Sequence, residues 1–353
     1  MNVFEGAPFS LEPARKQQLL ETAVDGLSLR HAQACPPYRR LCERAFGSQH
    51  LGEPLEQRPF VHVSLFKQRR LLSVPEAEVF KWVRSSGTSG QPSEIALDRP
   101  TAERQAEALR SVLGAILPAR RAPLLVIDSE QVLRSPGPMV ARAAGLVGVM
   151  PFGFDPLFAL DQNLEPRTDE IRAWLSRHRD APALFVFGFT SLVWQHFVQP
   201  LSQLGLELGR ATLVHGGGWK KLEQHAVSRV DFRRALGEHF DLHRVHDYYG
   251  LVEQLGAIHL ECAEGVLHTP SFAEVVVRDP LTLAPIGVGV EGVLQFISAL
   301  PESYPGHSVL TEDLGTLVLK DGCRCGRRGS AFLVKGRAPR ASPRGCSDTL
   351  VSA

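Results

Sequence analysis

Four groups of residues are of a type and spacing that could do chemistry. The first is Ser85-Ser86-Gly87-Thr88-Ser89-Gly90-Gln91-Pro92-Ser93, which follows the apolar run Val79–Val83. Glycines let backbone N–H groups converge on one point, and the hydroxyls add donors that can follow a phosphate as its charge shifts. The loop holds no lysine and does not end in Gly-Lys-Ser/Thr, so it is not a P-loop of the nucleotide-hydrolase kind. Its composition alone also fits a flexible linker. The second group is Asp247-Tyr248-Tyr249-Gly250-Leu251-Val252-Glu253. Gly250 beside two tyrosines permits close approach of a flat ring, and Glu253 could hold a magnesium ion between phosphates. An ordinary turn with a surface glutamate is the other reading. The third is Thr311-Glu312-Asp313-Leu314-Gly315, where Asp313 could accept from ribose hydroxyls or simply close an Asx-type turn.

The fourth group is made of thiols. Cys262, His268, Cys323 and Cys325 form a three-cysteine, one-histidine set suited to a closed, structural zinc site, with His259 as the alternative histidine. Such a site would leave no open position for catalysis. Cys35 and Cys42 read as buried apolar residues. Cys346 stands between Gly345 and Ser347 in a tail rich in Arg, Pro and Ser, where it is either a surface thiol or a nucleophile on a tether.

The elements that would position these groups alternate through the middle of the chain. Apolar runs at Pro123–Asp128, Ala183–Phe189 and Ala211–His215 read as buried parallel strands. Between and around them come helices at about 101–117, with Thr101 as cap, and at 169–179, 191–204 and 228–240. That alternation predicts an α/β layered fold. A helical region over 1–58 precedes the α/β core of 59–243. A β-rich segment over 244–336 carries the aromatic, acidic and cysteine groups, and 337–353 forms a tail. The net charge of +1 and the lack of a basic run with interleaved aromatics argue against nucleic acid. No stretch suits a membrane span or a signal peptide, so the expected compartment is the cytoplasm.

Taken in order, these motifs resemble those of the adenylate-forming superfamily. Its phosphate loop resembles Ser85–Pro92, its adenine-contacting segment Gly216-Gly217-Gly218, and its Tyr-Gly-x-Thr-Glu motif Tyr249–Glu253, with Val252 in place of threonine. Its ribose aspartate resembles Asp313, and its hinge Gly336-Arg337. Phe187-Gly188-Phe189-Thr190, His215–Lys220 and Arg344–Asp348 narrow the resemblance to the acyl-protein synthetase family of LuxE type, related to phenylacetate–CoA ligases, over about residue 55 to the end. The resemblance implies the large domain of an adenylate-forming enzyme without its small carboxy-terminal domain. It implies that ATP and Mg2+ activate a carboxylic acid, a fatty acid by family, as an acyl-adenylate, and that Cys346 then takes the acyl group for a reductase partner. An acyl- or aryl-CoA or carrier-protein ligase is the alternative, and an inactive nucleotide-binding partner is a third reading. The superfamily's lysine comes from the small domain, so Lys220, with Lys221 as runner-up, is the expected substitute cation. The related phenylacetate–CoA ligases carry a similar Cys/His pattern, which adds weight to Zn2+.

Overall fold

The structure is a computed structural model that describes residues 3–85, 91–134, 139–218 and 227–338. It divides into two compact units, residues 113–250 and the remainder.

The 113–250 unit is a five-stranded parallel sheet. Taken along the chain its strands are Ala122–Ser129, Gly153–Leu160, Leu184–Phe189, Ala211–Gly216 and Arg244–Tyr249. In space the second strand lies at one edge, followed by the first, third, fourth and fifth. This is the doubly wound order in which ligands bind beyond the carboxyl ends of the strands. The first strand is buried at every position and lacks the in-out alternation of a half-exposed strand, as a strand covered on both faces should. Helices Ala141–Val149, Thr168–Arg177 and Arg229–Phe240 make three of the crossovers. Trp174, Phe197, Phe232 and Phe240 pack with the strand side chains Val186 and Leu213 into one apolar core. Ser228 caps its helix, its hydroxyl accepting from the N–H of Asp231 at 3.0 Å.

The sequence reading places no strand at Gly153–Leu160. Pro156 lies inside it and Asp155 has a positive φ of 43°, so no alternation is visible. Tertiary contacts hold the strand instead, with Trp174 Nε1 donating to the Asp155 carbonyl at 2.9 Å.

The other unit is dominated by antiparallel strands. Ala273–Arg278, Glu291–Ser298, Ser308–Leu319, Ala331–Arg337, Leu267–His268 and His259–Glu261 pair in that order. Val61–His62 adds to Ser308–Leu319 in parallel. Lys81–Arg84 and Glu94–Leu97 pair as an antiparallel hairpin. The helix over 99–114 does not use Thr101 as its cap. Asp98 takes that role, its carboxylate accepting the Thr101 N–H at 3.0 Å. The amino-terminal helix Pro13–Ala34 ends before the Cys35-Pro36-Pro37 sequence. Its His31 is fully buried, stacks on His307 at 4.9 Å and accepts or donates to Ser73 Oγ at 2.7 Å. Cys35 and Cys42 are buried, as expected for small apolar residues. No helix among the described residues is long and apolar enough to cross a membrane.

Candidate active site

In the parallel-sheet unit the candidate residues gather at the carboxyl ends of the strands. Gly216 closes its strand, and Gly217 and Gly218 turn away with φ of 82° and 58°, which favour glycine. Gly216 is also required by packing: a Cβ there would meet the Tyr248 carbonyl oxygen at 2.6 Å and its ring at 2.8 Å. Tyr248 in turn stacks on Phe187, with ring centroids 6.3 Å apart and planes 20° apart. The glycine run and the aromatic pair are therefore one surface, a shelf held by three adjacent parallel strands. Tyr249 and Gly250 follow on the same strand end, and Gly250 is exposed.

A polar brace sits behind this shelf. Thr190 Oγ1 donates to the Gly216 carbonyl at 3.1 Å, so toward His215 Nδ1, 3.0 Å away, it can only accept. The proton of the imidazole is thereby assigned to Nδ1, which also points to Asp247 Oδ1 at 3.7 Å. Burial, reinforced by Arg233, Arg229 and His246, lowers the His215 pKa to about 3, so the ring stays neutral. Burial raises Asp247 above the ordinary carboxylate value, while Arg229 and Arg233 pull it back down. Thr190 was visible in the sequence as part of Phe187–Thr190, but its bond to the glycine carbonyl was not.

In the other unit the hydroxyl loop is closed at its neck. Ser85 N–H donates to the Ser93 carbonyl at 3.0 Å, and Ser93 N–H donates to Ser85 Oγ at 2.9 Å. Ser85 thus spends its hydroxyl on the neck. Ser86, Gly87, Thr88, Ser89 and Gly90 lie outside the described residues, as do Lys220, Lys221 and Cys346.

Glu253 is 3% exposed and lies in a single turn of 3-10 helix, Val252–Gln254. Tyr304 donates its hydroxyl to the Glu253 carbonyl at 3.0 Å, and Gln254 Nε2 donates to the carbonyls of Gly306 and Phe296 at 2.8 and 2.9 Å. Gly306 admits this approach, since a Cβ there would sit 2.5 Å from the Glu253 carbonyl oxygen. The acidic side chain is aimed by its backbone. Burial raises the Glu253 carboxyl, Ser93 and Lys67 lower it, and Asp313 raises it further. The Ser93 hydroxyl is itself buried and makes no full hydrogen bond among the described residues. A buried carboxylate with a like charge nearby and an unsatisfied hydroxyl beside it fits a cation such as magnesium.

Asp313 and Arg337 are cross-strand partners, with Arg337 Nε 3.6 Å from Asp313 Oδ1. The Thr311 hydroxyl accepts the Asp313 N–H at 3.1 Å while donating to the Leu294 carbonyl at 2.7 Å. The ribose and hinge candidates therefore stand opposite one another on one pair of strands.

The ligand atoms of Cys262, His268, Cys323 and Cys325 all lie within 4.8 Å of one another. Cys262 Sγ is 4.0 Å from Cys323 Sγ, and Cys325 Sγ is 3.5 Å from His268 Nε2. Tetrahedral zinc with 2.3 Å bonds to sulfur needs sulfur atoms about 3.8 Å apart, so the set lies within about 1 Å of that geometry. Burial pushes both thiols up. At Cys262 the Val266 and Glu264 backbone and the neighbouring thiols reverse it, and the pKa falls below the ordinary value. Cys325 is left at about 12 by burial and by the other two thiols. One thiolate forms readily and opposes the next, which is the charge pattern a cation relieves. His259 is elsewhere, packed on Phe296 and Phe332 at 4.7 and 5.2 Å, so His268 is the histidine of the cluster.

Comparison with known proteins fits this geometry. The fold is similar to that of an open 2-hydroxyisobutyryl-CoA ligase bound to 2-HIB-AMP and CoA, with a TM-score of 0.71 and 16% identity over 94% of this chain and 76% of that one. ATP-bound MatB from Rhodopseudomonas palustris matches at a TM-score of 0.51 and 14% identity, over 75% of this chain and 49% of that one. In sequence the chain is 26% identical to the long-chain-fatty-acid–luciferin-component ligase of Vibrio harveyi, over 99% of this chain and 92% of the relative. It is 24% identical to the ligase of the same name from Aliivibrio fischeri, over 79% and 74%. The family model described as acyl-protein synthetase, LuxE, matches residues 1–353. The chain belongs to the LuxE acyl-protein synthetase family, and is a ligase with the adenylate-forming fold.

Proposed function

We propose that this ligase uses ATP to convert a long-chain fatty acid to an acyl-adenylate, carries the acyl group on Cys346, and passes it to a partner. Buried Glu253, aimed by Tyr304 and short of compensating positive charge, is the observation that carries the reading. The substrate class follows the names of the relatives.

The carboxylate oxygen of the acid attacks the α-phosphorus of ATP, the bond to the β-phosphate breaks, and pyrophosphate leaves. The Tyr248 and Gly216–Gly218 shelf, with Tyr249 and Gly250 at its edge, holds adenine, and the Thr190 brace keeps the Gly216 carbonyl in place. Asp313 accepts from the ribose hydroxyls, with Arg337 opposite it. The loop Ser85–Gly90 and Lys220 screen the phosphates. Mg2+ held by Glu253 would supply the positive charge the triphosphate lacks. The Cys346 thiolate then attacks the acyl carbonyl and AMP departs, the thiol proton going to solvent. Zn2+ on Cys262, His268, Cys323 and Cys325 ties their loops together and has no part in the chemistry. The receiver of the acyl group is a reductase in the self-acylation reading, and CoA or a carrier protein in the alternative.

Acid-dependent exchange of labelled pyrophosphate into ATP tests the first step. Exchange should be supported by long-chain fatty acids. No exchange with any acid would contradict the adenylation reading.

A further inference from the structure

A cationic cavity lies beside the neck of the hydroxyl loop, within the unit that holds Glu253. It encloses about 430 Å3 and is lined by Lys67, Arg69, Arg70, Arg84, Gln91 and Glu94, among others. Four cations face one carboxylate, a strong local bias in a chain whose net charge is only +1.

Two of the guanidinium groups have partners within the protein. Arg70 Nε donates to Glu94 Oε2 at 3.0 Å, and the Arg70 guanidinium lies 4.7 Å over the Trp82 ring. Arg84 Nε donates to the other oxygen of Glu94 at 2.6 Å. Burial raises the Glu94 carboxyl, but the two arginines lower it by more, so it is ionised at neutral pH. A single carboxylate therefore holds two guanidiniums that both line the cavity, and Arg70 Nη1 also lies 3.8 Å from Glu76 Oε1. Two guanidiniums lining one cavity suit the oxygens of a phosphate. Lys67 has its Nζ 3.4 Å from Glu312 Oε2 and also acts electrostatically on Glu253, so one lysine serves both the cavity and the acidic site.

We propose that this cavity binds inorganic pyrophosphate, with Arg70 and Arg84 as a fork and Lys67 as the third cation. The assignment of pyrophosphate as the occupant rests on the adenylation reading. When the acid oxygen bonds to the α-phosphorus, the bridging oxygen leaves with its electron pair, so pyrophosphate departs with one charge more than it carried within ATP. Cations beside the loop neck stabilise that charge as it develops and hold the product off the loop.

The test is calorimetric titration of the full chain with inorganic pyrophosphate, in the absence of ATP and acid. The wild type should bind. Arg70→Gln/Arg84→Gln should bind about tenfold more weakly or worse, because two charge-assisted contacts are lost. Arg172→Gln, a surface change in the other unit, should bind as the wild type does. Arg70→Lys keeps the charge but loses the planar fork, and should fall between them. If the double variant folds poorly, Arg70→Gln alone carries the test, since that side chain is 58% exposed. In the exchange assay the same variants should raise the KM for pyrophosphate while the KM for the acid holds. A wild type that does not bind, or an unchanged affinity in the arginine variants, overturns the site. Arginine-dependent binding without any exchange would keep the site and remove the adenylation reading.

Discussion

Asp247 and Glu253 are six positions apart in the chain, and burial raises both carboxyls, yet they sit in opposite electrostatic settings. Asp247 lies inside the last strand of the parallel-sheet unit, facing neutral His215 with Arg229 and Arg233 acting on it. The protein supplies its counter-charge. Glu253, in the antiparallel unit, has Lys67 pulling its carboxyl down but Asp313 pushing it up, beside a buried hydroxyl with no full bond among the described residues. Its counter-charge is left to a ligand. The thiol cluster repeats the second arrangement, gathering Cys262, Cys323 and Cys325 around His268 within 4.8 Å. A buried acid is therefore weak evidence for a metal or phosphate site until its cations are counted. By that count Glu253 is the acid we propose as functional, and Asp247 belongs to the scaffold behind the glycine and tyrosine shelf.

The largest effect expected from this contrast is at Glu253. Glu253→Gln should lower the rate of acid-dependent exchange by about a hundredfold or more, as losing a group that stabilises transition-state charge does. The Mg2+ dependence should weaken with it. Asp247→Asn should change the rate far less. Equal losses in the two variants, read by steady-state exchange, would erase the distinction.

The cysteine cluster should come next, through stability and not through chemistry. Metal analysis of the purified protein is expected to give about one zinc per chain. Cys323→Ser should lose the zinc and lower the thermal midpoint, while any protein that stays folded keeps its exchange KM values. A folded wild type without metal would refute the site.

The smallest effect is a pH dependence at Asp247. Its folded pKa is raised, so the native chain keeps a proton over a window in which the unfolded chain has lost it. Stability should therefore fall as pH rises from the ordinary carboxylate range toward the folded value, about 7. Asp247→Asn should remove that fall. The side chain keeps 36% of its surface, so the loss should lie well below the roughly 1.4 kcal/mol per unit of a fully buried group. Denaturant midpoints at pH 5 and pH 8 measure it, and parallel curves for variant and wild type would show that the carboxyl is not raised.

Much of this was legible in the sequence where backbone geometry forces a residue type. Gly216–Gly218 had to be glycine for positive φ and for the Tyr248 approach, and Cys323-Arg324-Cys325-Gly326 marks a turn that brings two thiols into the cluster. Glu253 stood out by its place after Tyr-Gly. What was hidden depends on partners distant in the chain. Arg70 and Arg84 meet through Glu94 with no spacing that signals it, and Tyr304 reaches Glu253 across fifty residues of chain, so no local pattern carries the contact. The strand Gly153–Leu160 was hidden for a similar reason, since Pro156 and the positive φ of Asp155 break its alternation and packing restores it. Asp98 displaced Thr101 as helix cap because either side chain satisfies the same local rule, and only the backbone path decides between them.

The central claim is that the activated acid ends on this chain's own cysteine. Incubation of the protein with labelled long-chain fatty acid and ATP, followed by peptide mapping, tests it most directly. The account predicts one hydroxylamine-sensitive acyl group, on the peptide containing Cys346, and none in Cys346→Ser, whose pyrophosphate exchange continues. Stable labelling that survives Cys346→Ser would contradict it.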